Sequence, residues 1–132
     1  MKYLLDTHTF LWTICDSDQL SEKAKEKIKN INNDVFVSAV SLWEISIKAK
    51  LGKLKIDGFK IEALCDLAEK LDVELIGLSP EEAISYHALE APSHKDPFDR
   101  MLIWQSIKRE MILISKDSKF KYFKKYGLNV LW

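Results

Sequence analysis

Cysteine is almost missing from this chain. Cys15 and Cys65 lie far apart among 132 residues, outside any CxxC or Cys/His spacing, so no zinc centre or disulfide framework is encoded. Two unpaired, small hydrophobic thiols in a reducing compartment are the economical reading. An excess of charge is missing too: 20 basic side chains face 20 acidic ones. A strongly basic chain would have pointed to nucleic acid through phosphate neutralisation. Here any such role must rest on local clusters or on a metal. No apolar run approaches the ~18–20 residues that cross a bilayer. The N-terminal MKYLLDTHTFLW is broken by Asp6 and His8 with no small-residue cleavage site behind it, which excludes a signal peptide. The expectation is a cytoplasmic protein with no membrane partner. Repeats, low-complexity tracts and linkers are also absent.

What is present is the composition of a folded protein, 47% hydrophobic and 30% charged, at a length that suits one domain over residues 1–132. Lys2 to Leu5 (KYLL) is a short apolar run ending abruptly at Asp6, which reads as a strand followed by a helix through Phe10 and Trp12. Ser21 caps a lysine-rich surface helix. Asn32-Asn33-Asp34 is a turn before a strand at Val35 to Val37. Helices are expected over 39–51, ended by Gly52, and over 60–71, with a strand at Val73 to Ile76. Ser79-Pro80-Glu81-Glu82 is a strong helix start, and His87 is expected mid-helix in a structural role. A polar segment, Ala91 to Lys95, leads to a helix over 97–109. Strands at Met111 to Ile114 and Leu128 to Leu131 complete the chain. Short apolar strands alternating with helices specify an α/β fold, a three-layer sandwich with a central, mainly parallel sheet.

In such a sheet, ligands bind beyond the carboxyl ends of the strands. Asp6 and Asp117 both follow strands, although aspartate also starts turns and caps helices there. Glu44 is harder to assign to structure. Val40, Trp43, Ile47 and Leu51 surround it on one helix side, and Leu42, Ile45 and Ala49 make the other side apolar, so the whole helix should be buried. A carboxylate there needs a cation or several donors. A buried lysine or arginine partner is one answer and a metal is the other. In Asp96-Pro97-Phe98-Asp99 the first acid suits an N-cap, with a possible outer role at the site. Asp99 shares the core-facing side with Leu102, Ile103 and Ser106, where a cap has no need to point. Four acids brought to one sheet edge would repel and take up protons unless a divalent ion compensated them. Oxygen ligands favour Mg²⁺, or Mn²⁺ in its place, over zinc. His8 and His94 lie near acids in sequence and are candidates to touch substrate.

These segments together resemble the PIN domain, and within it the VapC-type toxins of toxin–antitoxin pairs. The resemblance runs end to end: LLDTHTFLW around Asp6, SAVSLWEISIKAKLGKL around Glu44, SHKDPFDRMLIWQS around Asp99 and LISKDSKF around Asp117. It implies a parallel sheet flanked by helices and hydrolysis of RNA phosphodiesters by water activated on a divalent metal. Carried over residue by residue, Asp6 and Asp99 are the principal metal ligands. Glu44 helps bind a metal or orient the water, and Asp117 completes the quartet. Ser115 matches a small hydroxyl residue two places before the last acid. Thr7 is a secondary residue beside Asp6, and Asp96 is an extra acid of one subgroup. The resemblance also implies a homodimer and an antitoxin that covers the site.

Substrate attraction has to come from local charge. Lys48, Lys50, Lys53 and Lys55 cluster where the Glu44 helix ends, and Lys116, Lys119, Lys121, Lys124 and Lys125 follow the last catalytic strand. Lys48 and Lys116, with His94, are the candidates for phosphate contact, against a plain solvated face. Trp12, Trp43, Trp104 and Trp132 suit core or interface better than base stacking. Two rival readings remain open at this point: a phosphate-accepting receiver-like domain, which gives Glu44 no purpose, and a catalytically inactive PIN-like binding module.

Overall fold

The computed structural model describes residues 1–56 and 58–132. Among the described residues the chain runs β1 (Lys2–Leu5), α1 (Thr7–Cys15), α2 (Glu22–Lys29), β2 (Asp34–Ser38), α3 (Ala39–Lys50), α4 (Leu64–Lys70), β3 (Val73–Ile76), α5 (Pro80–Ser85), α6 (Pro97–Lys108), β4 (Ile112–Ile114) and β5 (Asn129–Leu131). The strands form one sheet in the order β3-β2-β1-β4-β5, and each pairing is parallel. Leu5 at the end of β1 lies opposite Val37 of β2 and Ile114 of β4. The chain therefore grows outward from β1 in one direction and then returns to its other side. That reversal opens a crevice at the carboxyl ends of β1 and β4.

Both faces of the sheet are covered, as the apolar strands require. Tyr3, Leu5, Val35, Val37 and Ile114 pack on one side with Phe10 and Leu11 of α1, Ile45 of α3 and Leu64 of α4. Leu4, Phe36 and Leu113 face the other way, onto Leu102, Ile103 and Trp104 of α6 and onto Phe120 and Phe123. Alternation along β1 thus divides one sheet between two apolar layers. The three-layer α/β expectation holds.

Helix boundaries follow their capping chemistry. Ser21 Oγ accepts from Ala24 N–H at 3.0 Å. Ser79 and Glu82 form a reciprocal capping box, with Pro80 in the first turn. Gly52 ends α3 at φ 70°, with its N–H on Ala49 C=O and the Lys53 N–H on Lys48 C=O, the paired bonds of a Schellman terminus.

Several expectations need correction. The helix expected over 60–71 begins as a 3₁₀ turn at Ile61–Ala63. The helix opened by Ser79 is short and passes into a 3₁₀ turn at Tyr86–Ala88, so His87 stands exposed there instead of mid-helix. Residues Ser118–Tyr126 form a 3₁₀ helix that apolar periodicity did not announce. It buries Phe120 and Phe123 and stops at Gly127, which adopts φ 100°. The Glu44 helix is not wholly buried: Trp43 is 63% exposed and Leu51 61%. Turning Glu44 inward rotates the preceding residue by about 100° toward solvent, where Trp43 meets Phe98 edge-on at 5.4 Å. Both cysteines are free and exposed.

Candidate active site

Asp6 follows β1 directly and caps α1, its Oδ1 accepting from the Thr9 N–H at 2.9 Å. The Thr9 hydroxyl and the Asp6 N–H both donate to Ile114 C=O, at 3.1 and 3.2 Å, and so tie the start of α1 to the end of β4. Just beyond that end, the Asp117 N–H donates to Ser115 Oγ at 3.1 Å, and Asp117 Oδ1 accepts from the Lys119 N–H at 2.9 Å. Two acids from opposite ends of the sequence therefore meet because β1 and β4 are neighbours.

Glu44 arrives from α3 and is 4% exposed. Thr7 donates its hydroxyl to Glu44 Oε1 at 2.6 Å and lies 3.1 Å from Ser41 Oγ. Lys48, one turn along α3, donates from Nζ to Oε2 at 2.7 Å. The cation facing Glu44 thus comes from its own helix, and Lys48 binds a carboxylate rather than standing free with the other lysines at the helix end. The junction of β2 and α3 is fixed to α6 by Ser38, whose hydroxyl donates to Gln105 Oε1 at 2.6 Å.

Asp96 is the N-cap of α6, its Oδ1 accepting from the Phe98 and Asp99 N–H groups at 2.9 and 3.1 Å. Asp99, in the first turn, places Oδ2 2.9 Å from His94 Nε2. The loop carrying His94 is held by Arg100, which donates to the Tyr86 hydroxyl and to the carbonyls of Leu89, Ala91 and Ser93. His94 itself sits at φ 58°, an uncommon conformation outside glycine.

Asp6, Thr7, His8, Glu44, Lys48, Asp96, Asp99 and Asp117 line one recess of about 160 Å³, with Phe120 as part of its wall. The larger hollow near Leu20, Ile28 and Leu71, about 370 Å³, holds a single acid, Asp72. Size therefore does not mark the chemistry; convergence of carboxylates does. Ser115 is buried and lines a neighbouring hollow, while Lys116 is exposed outside the recess with Nζ 5.8 Å from the Trp12 ring centre.

The electrostatics reflect burial first and, at Asp99, crowding second. Burial pushes the Asp6 carboxyl above its ordinary value, against the hydrogen bonds of Ser115 and Thr9. Burial also raises Asp99 to about 6; the His94 bond opposes this, and the charges of Asp96 and Glu44 add to it. The hydrogen bond to Glu44 holds Lys48 above the usual lysine range. Carboxylates pushed up in this way are short of positive charge. Single ligand atoms of His94, Asp99 and Asp117 lie within 4.8 Å of one another, so the donor set suits a small divalent cation.

His94 is the residue that sequence reasoning undervalued. It was grouped with possible substrate contacts, yet it holds Asp99. The SHKDPFD run was the available signal, since a histidine shortly before a capped acidic helix start can fold back over it. Arg100 received no assignment at all.

A family model for the PIN domain matches residues 3–126, and the chain belongs to the PIN domain family. Among solved structures, the same fold occurs in VapBC2 from Rickettsia felis bound to a DNA fragment from their promoter, at 20% identity and TM-score 0.70 over 99% of this chain and 98% of that one. It also occurs in VapBC-1 from nontypeable Haemophilus influenzae, at 17% identity and TM-score 0.71 over 99% and 97%. DNA-bound VapBC from Salmonella typhimurium matches at 18% identity and TM-score 0.66, again over 99% and 97%. No curated protein sequence matches the chain. The receiver-like reading falls with the family match, and also with the strand order, which is not the 2-1-3-4-5 of flavodoxin-like receivers. Among the described residues no helix is long and apolar enough to cross a membrane.

Proposed function

We propose that this chain is a divalent-metal-dependent ribonuclease, the VapC-type toxin of a toxin–antitoxin pair, acting as one domain over residues 1–132. The observation that carries the reading is the meeting of Asp6, Glu44, Asp99 and Asp117 in one recess at the carboxyl edge of a parallel sheet. Asp6 and Asp99 are the principal ligands for Mg²⁺, which Mn²⁺ would replace, with Glu44, Asp117 and His94 at hand. Bound there, the cation would lower the pKa of a water and offset charge gathering on a phosphate.

The protein's own groups have defined tasks. Thr7 and Lys48 hold the two oxygens of Glu44, leaving its remaining lone pairs for an incoming group. His94 fixes the rotation of Asp99, and Ser115 and Thr9 support Asp6. Lys48 adds positive charge at the rim, where a phosphate flanking the cut would enter. The fold it shares with VapBC structures supports a cognate antitoxin as partner, and a homodimer is proposed as the working assembly. A cytoplasmic location belongs to the same proposal.

The test is cleavage of single-stranded RNA with and without Mg²⁺ or Mn²⁺. Asp6→Asn and Asp99→Asn are each expected to lose at least ~100-fold in rate with the fold intact, as for removal of a group that positions charge. Full activity in either variant, or activity undiminished in EDTA, contradicts the proposal. An intact chain that binds the metal but never cuts RNA would leave the inactive binding module as the reading.

A further inference from the structure

Beyond the acids, the recess is flanked by two hollows that no step above uses. One, about 180 Å³, is lined by Ser115, Lys116, Asp117, Lys121, Leu131 and Trp132 and shares Asp117 with the recess. The other, about 310 Å³, is lined by Leu11, Trp12, Leu54 and Ile56 and shares His8 with it. The partition between them is aromatic. Trp12 and Trp132 lie 5.9 Å apart, His8 is 5.7 Å from Trp12, and Lys116 Nζ is 5.8 Å from the Trp12 ring centre. Trp12 and Trp132 pack against the core yet remain half-buried rather than closed in, and Lys116 and Lys121 are exposed.

The hollow that shares Asp117 with the acidic recess offers two lysines and an indole beside that acid. Lysine beside an aromatic platform is the chemistry that binds one nucleotide of a single strand, the cation meeting the phosphate and the ring stacking on the base. Resting on the ribonuclease reading, we propose that the hollow between Trp132 and Lys116 is a nucleotide subsite of the RNA strand beside the cut. Trp132 stacks the base, Lys116 and Lys121 meet the phosphate, and Trp12, tilted 56° against Trp132, holds that indole in place. Stacking of this kind tolerates different bases, so the subsite selects an unpaired nucleotide rather than a particular letter.

The experiment compares a hexaribonucleotide with an abasic strand carrying the same phosphates, both titrated into the metal-free chain in EDTA at low salt. The intact chain is expected to bind the hexanucleotide about tenfold more tightly than the abasic strand, with quenching of tryptophan emission by the former alone. Trp132→Leu should remove most of that difference and leave the abasic affinity unchanged. Trp132→Phe should keep it, and Lys116→Gln should weaken both strands alike. Equal affinities for the two strands in the intact chain, or a difference that survives Trp132→Leu, overturns the subsite. Trp43 is 63% exposed and also emits, so quenching is read in Trp43→Phe as well, where it should persist; its loss there overturns the subsite, and this arm stands even if Trp132→Leu misfolds. No arm requires cleavage. A chain that cuts RNA but treats both strands alike loses only this subsite, whereas a chain that stacks bases but never cuts loses the nuclease reading.

Discussion

Asp99 and Lys48 show how single residues pull in opposite directions at this site. Asp99 is raised from 3.8 to about 6, chiefly by burial. A carboxyl whose folded value lies above its unfolded one favours the fold only while protonated. The metal-free protein should therefore lose stability as pH rises from about 4 to about 6, by about 2 kcal/mol from this group. Asp99→Asn should raise the melting temperature of the metal-free chain at pH 7 and leave it unchanged at pH 4; thermal scans at both values decide it, and a lower melting point at pH 7 would count against the crowding account. Lys48 neutralises part of the same cluster through Glu44. Lys48→Met is expected to tighten Mn²⁺ binding several-fold in calorimetry, because one competing positive charge has gone, while the metal-free chain becomes less stable. Weaker Mn²⁺ binding would mean that Lys48 helps to shape the ligand set instead. Asp99 stands out in the sequence because it shares the core-facing side with Leu102, Ile103 and Ser106, whereas capping alone accounts for Asp6, and the structure gives Asp6 that cap. The Lys48 pairing was less legible, since a lysine one turn after a glutamate is common on any surface helix.

At the scale of elements, α6 is held by two arginines with different tasks. Arg100 clamps the Leu89 to Ser93 carbonyls and through them the loop that delivers His94 to Asp99. Arg100→Ala should cost about 1–2 kcal/mol through part-buried acceptors left unpaired, and should raise amide exchange across residues 89–95 before any other segment. Exchange unchanged in that loop would remove the clamp from the account. Arg109, at the other end, donates to both oxygens of Glu82 and holds that carboxyl at about 2, below its ordinary 4.5. A depressed carboxylate stabilises the fold above its unfolded value. With solvent screening of the part-exposed Arg109, about 1–2 kcal/mol should thus disappear as pH falls from about 4.5 to 2, and Arg109→Ala should flatten that acid limb in denaturant titrations. Neither arginine is legible in the sequence: Arg109 reaches a partner 27 residues back and Arg100 folds onto a loop 7 to 14 residues before it, and periodicity carries no information on either contact. The capped helix starts at Ser21, Ser79 and Asp96 were legible, because a cap is decided by residues within one turn. The 3₁₀ helix of Ser118–Tyr126 was not, since its lysine-rich sequence resembles a loop and only Phe120 and Phe123 commit it to the core.

For the whole molecule, strand and helix alternation was enough to place a parallel sheet between two helical layers, because the apolar runs of β1, β2 and β4 leave no face for solvent. Which strands are neighbours was not contained in that pattern, and the β1–β4 pairing is what joins Asp6 to Asp117. On the proposed ribonuclease reading, zero net charge leaves RNA attraction to local lysine clusters. Charge reversal at Lys119, Lys121 and Lys124 should reduce the salt dependence of RNA binding without changing Mn²⁺ affinity; an unaltered salt slope would confine those lysines to solvation. Everything at this scale depends on one cation-seeking recess formed by distant acids. Crystals of the chain soaked in Mn²⁺ and measured at the manganese absorption edge test that directly. An anomalous peak in the recess bounded by Asp6, Asp99 and Asp117, lost in Asp99→Asn, is the expected result. Clean density there with no peak, while Lys48 stays on Glu44 at saturating Mn²⁺, would contradict it.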